Sequence, residues 1–145
     1  MSELTSRIQG LLEEEAREAL DAGWAEVVET ENIAGLTLRL EPMKLQAAPL
    51  EIHFDSDQLL MCSPGRKNML VEFFSEDPEE IELSVRALAA AVVAGTYCER
   101  LKQGTTDAEA EWPGVEGPQR VRRTLIAVPG AKDNPWREVA YEPYS

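Results

Sequence analysis

The chain has a single histidine and two cysteines among its 145 residues, and no apolar run near the ~18 residues that a membrane span requires. One imidazole, His53, leaves little for a transition-metal centre, which usually recruits several imidazoles or thiolates. Cys62 and Cys98 cannot form a disulfide framework, and neither belongs to a Cys-x-x-Cys motif. No G-x-S-x-G is present, so a nucleophile elbow is excluded. Neither G-x-x-x-x-G-K-[ST] nor G-x-G-x-x-G occurs, so the common phosphate cradles are absent too. These absences predict a protein without a cofactor or a metal. The opening residues, MSELTSRIQGLLEEE, lack a basic stretch and a continuous apolar core, so no secretory signal is expected. The expected compartment is the cytoplasm, with both cysteines reduced.

Basic residues are also scarce. The net charge is −13, and it is unevenly placed. Residues 1–82 hold 19 acidic against 6 basic residues, whereas residues 83–145 hold 8 of each. Such a field repels nucleic acid and anionic membranes and favours a protein partner with a basic surface. Acidity also serves solubility alone.

What the chain does have is one long apolar helix signal, Asp77–Gly95. Asp77 is placed as N-cap, Pro78 at the first helical position and Glu80 as partner in a capping-box variant. Ile81, Val85, Leu88 and Val92 recur at helical spacing, and Gly95 supplies a stop. Residues 3–22 predict a first helix with a stripe of Leu4, Ile8, Leu11, Leu12 and Ala19. Its glutamates Glu13, Glu14, Glu15 and Glu18 mostly face away.

Between the two helices, apolar and polar residues alternate. Leu36, Leu38 and Leu40 alternate with Thr37, Arg39 and Glu41, and Leu50, Ile52 and Phe54 with Glu51, His53 and Asp55. Weaker strand signals cover residues 24–29, 58–62 and 69–74. Short turns join these runs, which implies an antiparallel meander. After the second helix, residues 97–102 read either as a strand or as a helix continuation. Residues 103–119 read as a polar loop excursion, in which Trp112 is either exposed or a folded-back anchor. Residues 121–128 and 136–141 read as strands, with Tyr144 loose near the end.

The expected fold is therefore α+β: one domain spanning residues 1–145, an antiparallel meander with two helices packed on one face. Its core face is Leu36, Leu38, Leu40, Leu50, Ile52, Phe54, Val71 and Phe73. The opposite face presents Thr37, Arg39, Glu41, Glu51, His53 and Asp55, too polar for an ordinary core.

Candidate chemistry is thin. His53, Asp55 and Asp57 have a spacing that would allow a carboxylate-rich metal site, but a strand histidine is the simpler reading. Asp55-Ser56-Asp57 opens like a calcium loop, yet Leu60 and Arg66 stand where the glycine and the glutamate belong. Cys62 lies on the strand next to His53, but a buried small hydrophobe is the expectation. Arg120, Arg122 and Arg123 form the one basic cluster. It serves either an anion or, more simply, the protein's own carboxylates.

The order helix, meander, helix, strands, with Ala-Val-Val-Ala-Gly-Thr-Tyr-Cys-Glu-Arg closing the second helix, resembles small bacterial immunity proteins of polymorphic toxin systems. The resemblance covers roughly residues 3–102 and is architectural. It implies a non-enzymatic, cytoplasmic inhibitor that covers the surface of a cognate toxin. The residues expected to bind that partner are Glu41, Glu51, His53, Asp55, Asp57 and Glu72. The alternatives are an acidic secretion chaperone or homodimeric adaptor, and a small enzyme with a site that no motif marks.

Overall fold

The computed structural model describes residues 3–33, 35–54, 60–73, 77–124 and 128–145. The chain opens with helices α1 (Glu3–Glu15) and α2 (Arg17–Asp21). The single helix expected over 3–22 is thus broken at the buried Ala16, which leaves helical geometry at φ −101° and ψ 11°. Five strands follow: β1 (Ala25–Asn32), β2 (Gly35–Pro42), β3 (Leu50–Phe54), β4 (Leu60–Pro64) and β5 (Val71–Phe73). They form an antiparallel sheet in chain order, as the short turns imply.

Helix α3 (Pro78–Ala94) begins as its sequence predicts. Asp77 accepts the Glu79 amide at 3.0 Å, and Pro78 occupies the first turn. It ends at Gly95, with φ 77°, where a Cβ would meet Pro143 N at 2.6 Å. The left-handed cap and the close passage of the C-terminal segment both require glycine there. Leu38, Leu40, Leu50, Ile52, Phe54 and Val71 are buried, with Leu36 and Phe73 packed at the margin, and α1 and α3 join them in one core. Arg7 pairs with Glu82 at 2.5 Å, and Arg86 with Glu15 at 2.9 Å, clamping α1 to α3. The fold is α+β, with the helices on one face of an antiparallel meander.

A second sheet departs from the expected single one. Strands β6 (Cys98–Lys102), β7 (Ala108–Pro113), β8 (Pro118–Arg123) and β9 (Trp136–Ala140) pair in the order β8-β7-β6-β9, all antiparallel. Residues 97–102 are therefore a strand entry, not more helix. The polar excursion expected over 103–119 is corrected as well, because it contains β7 and the start of β8. Ala108, Ala110 and Trp112 are buried and alternate with Glu109 and Glu111, a half-buried strand whose inward residues are mostly small. Alanine is a poor strand former, and the flanking Gly and Pro residues suggest loop, so the pattern is easily missed. Tyr144 is not loose: it is buried, and its hydroxyl donates to Ala48 O at 2.7 Å.

Candidate functional site

The β2–β3 pairing sets Arg39 opposite Glu51 and Thr37 opposite His53, and β4 sets Met61 between His53 and Glu72. Because side chains alternate, Glu41, Glu51, His53 and Glu72 all project from the outer face of the first sheet, away from the helices. Asp55 and Asp57 lie outside the described residues.

This face is less bare than its sequence suggests. Arg39 Nε lies 2.6 Å from Glu41, and its Nη1 lies 2.9 Å from Glu51. Burial works against the Arg39 charge, yet hydrogen bonds and the charges of Glu41 and Glu51 outweigh it and raise its pKa. His53 Nδ1 lies 3.0 Å from the Thr37 hydroxyl. The same register separates His53 from Cys62: Cys62 stands opposite Ile52 and points into the core. Burial pushes the Cys62 thiol well above its ordinary pKa, so it is no thiolate nucleophile. Among the described residues, no cluster of three or more His, Cys, Asp and Glu side chains could hold a metal.

A second constellation has no counterpart among the expected residues. Glu99, on the inner face of β6, is 1% exposed. Its carboxylate accepts the Tyr97 hydroxyl at 2.7 Å and the Tyr141 hydroxyl at 2.9 Å. The Arg66 amide in turn donates to Tyr141 Oη at 2.9 Å. Gly65, at φ 76°, borders the carboxylate so closely that a Cβ would press on Glu99 and lie 2.9 Å from Tyr141 Oη. Burial raises the Glu99 pKa, opposed by the two phenol hydrogen bonds and by the charges of Lys67 and Arg123. The same burial raises the pKa of Tyr97 and Tyr141, and the Glu99 charge adds to it. The cluster ties the second sheet to the turn after β4. The signal was present in Tyr97-x-Glu99, two residues that share a face once the segment is a strand.

Gly65 also lines a polar groove of about 360 Å³ with Arg39, Glu51, Ser63, Arg66 and Asn68. Arg66 is committed there: its guanidinium donates to Leu45 O at 3.0 Å and Ala47 O at 3.2 Å.

No protein-family model, no curated protein and no solved structure matches this chain.

On the outer face of the second sheet, cations and carboxylates alternate. Arg100 lies 3.5 Å from Glu109, Arg120 3.2 Å from Glu111 and Arg122 3.6 Å from Asp107. Arg100, Lys102 and Arg122 also gather within 5.2–5.7 Å of the Trp136 ring centroid. Arg123, on the other side of β8, donates to Asn68 O at 3.0 Å and to Lys67 O at 2.6 Å. The basic cluster is thus spent on carboxylates and carbonyls of its own chain.

Trp112, 4% exposed, packs against Tyr97 at 6.2 Å between ring centroids, which makes it the folded-back anchor. Two grooves flank it. One of about 280 Å³ runs between α3 and the β7–β8 hairpin, and one of about 440 Å³ includes Thr96, Cys98 and Pro118. Among the described residues, no helix is long and apolar enough to cross a membrane.

Proposed function

We propose that this chain is an acidic protein-binding module of the immunity type, which neutralises a cognate bacterial toxin in the cytoplasm by covering a basic surface rather than by catalysis. The observation that carries this reading is where the charge falls in the fold. Among the described residues, the acidic side chains of residues 1–82 lie on α1, α2, the first sheet and the start of α3, whereas the second sheet offsets its carboxylates with Arg100, Arg120 and Arg122. The molecule is therefore electrostatically polarised. Its acidic half ends in a sheet face on which Glu26 and Glu72 are exposed beside the Arg39–Glu51 pair. Opposed fields of this kind steer a basic partner and accelerate its association.

An adaptor that dimerises through the open edge of β1 fits less well. Glu26, Glu29 and Glu31 are exposed along that strand, and pairing it with a second copy would set like charges against each other.

The test is affinity capture from the native host at low salt, with the wild-type chain and with a Glu26→Lys/Glu72→Lys variant on parallel columns. The expected catch is a cationic protein that elutes as salt rises and that the charge-reversed column holds weakly. Recovery of no basic protein, or equal retention on both columns, overturns the reading.

A further inference from the structure

We infer that the groove between α3 and the β7–β8 hairpin is a docking site for a partner segment carrying one large apolar side chain flanked by lysine or arginine. This inference goes beyond the proposed function: the groove is separate from the first-sheet face and would work whether or not the partner is a toxin. Its volume of about 280 Å³ falls just below the ~300–1,000 Å³ of small-molecule pockets and suits one inserted side chain. The apolar lining is Phe73, Leu83, Trp112 and Val115. Leu83 and Val115 are 52% and 57% exposed, although neither position needs an apolar residue for folding. The core stripe of α3 runs through Ile81, Val85, Leu88 and Val92, and a hairpin turn is ordinarily polar.

Both walls are preformed. Trp112 is held by Tyr97, and Tyr97 by Glu99. The hairpin turn is closed by the Gly114 amide donating to Gly117 O at 2.8 Å, and a Cβ at Gly114 would lie 2.9 Å from that same oxygen. A rigid groove binds without first losing loop entropy. Charge selects the occupant. Glu80 lines the α3 wall and Glu116 the hairpin wall, and no lysine or arginine lines the groove among the described residues. An apolar floor between two carboxylates matches an apolar residue between two cations and repels an acidic flank.

The experiment is an NMR titration of the isotope-labelled full chain with three synthetic peptides: Lys-Lys-Phe-Lys-Lys, Glu-Glu-Phe-Glu-Glu and Lys-Lys-Gly-Lys-Lys. The first should produce saturable shifts of the Leu83 and Val115 methyls and the Trp112 indole N–H. The other two should bind ~10-fold more weakly or not at all, a difference of about 1.4 kcal/mol. Leu83→Ser and Val115→Ser, both at exposed positions, should lose the response while the rest of the spectrum is kept. Shifts spread over the acidic face around Glu51 and Glu72 would show mere polycation adherence and overturn the inference. So would the absence of saturation. Groove shifts that follow protein concentration without peptide would show a second copy as occupant and overturn it equally.

Discussion

Tyr141 donates its hydroxyl hydrogen bond to Glu99 across 42 residues of chain, at 2.9 Å, and accepts the Arg66 amide at 2.9 Å, which closes the second sheet onto the turn after β4. Tyr97 meets the other carboxylate oxygen. Removing the carboxylate takes the acceptor from the Tyr141 hydroxyl, which keeps only the Arg66 amide as donor to it, and leaves the Tyr97 hydroxyl a long 3.5 Å contact to Pro64 O, whereas a glutamine keeps an acceptor and adds a donor. Glu99→Leu should therefore destabilise by roughly 2–4 kcal/mol, and Glu99→Gln by about 1 or less. Urea midpoints read both. A Glu99→Leu protein as stable as wild type would remove the cluster from the account of the fold.

The same carboxylate sets a pH dependence. Its pKa is raised in the folded state above the ordinary 4.5, chiefly by burial. The folded chain thus holds this proton more tightly than the unfolded chain. The resulting stabilisation is fully present below the unfolded pKa and is lost as pH rises through the folded pKa. Relative to Glu99→Gln, the wild type should lose stability on going from acid toward neutral pH. The difference between the two unfolding free energies isolates this group, because the other carboxylates are common to both. A difference that stays flat, or that grows with pH, contradicts the assignment.

Gly65→Ala should be costly for two separate reasons. Its φ of 76° disfavours any side chain, and the new methyl would press on Glu99 and approach Tyr141 Oη. The left-handed conformation accounts for about 1 kcal/mol, and displacement of the cluster should add to it. Gly23→Ala is the control, with φ 77° and nothing within 4 Å. Thermal melts should place Gly65→Ala below Gly23→Ala.

Val85 is fully buried in the middle of α3. Val85→Asp places a carboxylate in the core without a partner and should cost roughly 5 kcal/mol or more, which consumes the whole stability of a domain at the lower end of the ordinary ~5–15 kcal/mol. Circular dichroism of the variant should show lost helix at room temperature. Retention of the native spectrum would mean that the α3 stripe is not the centre of the core.

Tyr144 sits one residue from the C-terminus yet is 1% exposed. Tyr144→Phe removes only the hydrogen bond to Ala48 O and should cost about 1 kcal/mol. Tyr144→Ala also empties a ring-sized space and should cost about 3–5 kcal/mol. Denaturant curves for the pair separate hydrogen bond from packing, and equal midpoints would show that the ring does not pack.

How far the sequence is legible depends on the range of the interaction. Asp77, Pro78 and Gly95 mark both ends of α3 because caps act within one turn. Leu36 to Leu40 and Leu50 to Phe54 declare their strands because alternation is local. The break at Ala16 and the burial of Tyr144 carry no comparable local mark, and the alternation in the strand Ala108–Pro113 is muted because its inward residues are mostly alanine. They depend on what each segment meets. The site residues divide in the same way. Alternation puts Glu41, Glu51 and His53 on one face, but only the pairing register shows that Arg39 already engages Glu41 and Glu51.

By itself, the sequence determined the class of this protein: an α+β domain with an apolar strand face for its helices, an acidic first half and no motif for metal, phosphate or nucleophile. These are properties of spacing and composition. The tertiary structure alone decided the grouping of strands into two sheets, the burial of Glu99 between two tyrosines and the groove beside Trp112. Each joins residues far apart in the chain, and contacts of that kind follow from packing the whole core rather than from any neighbouring residues.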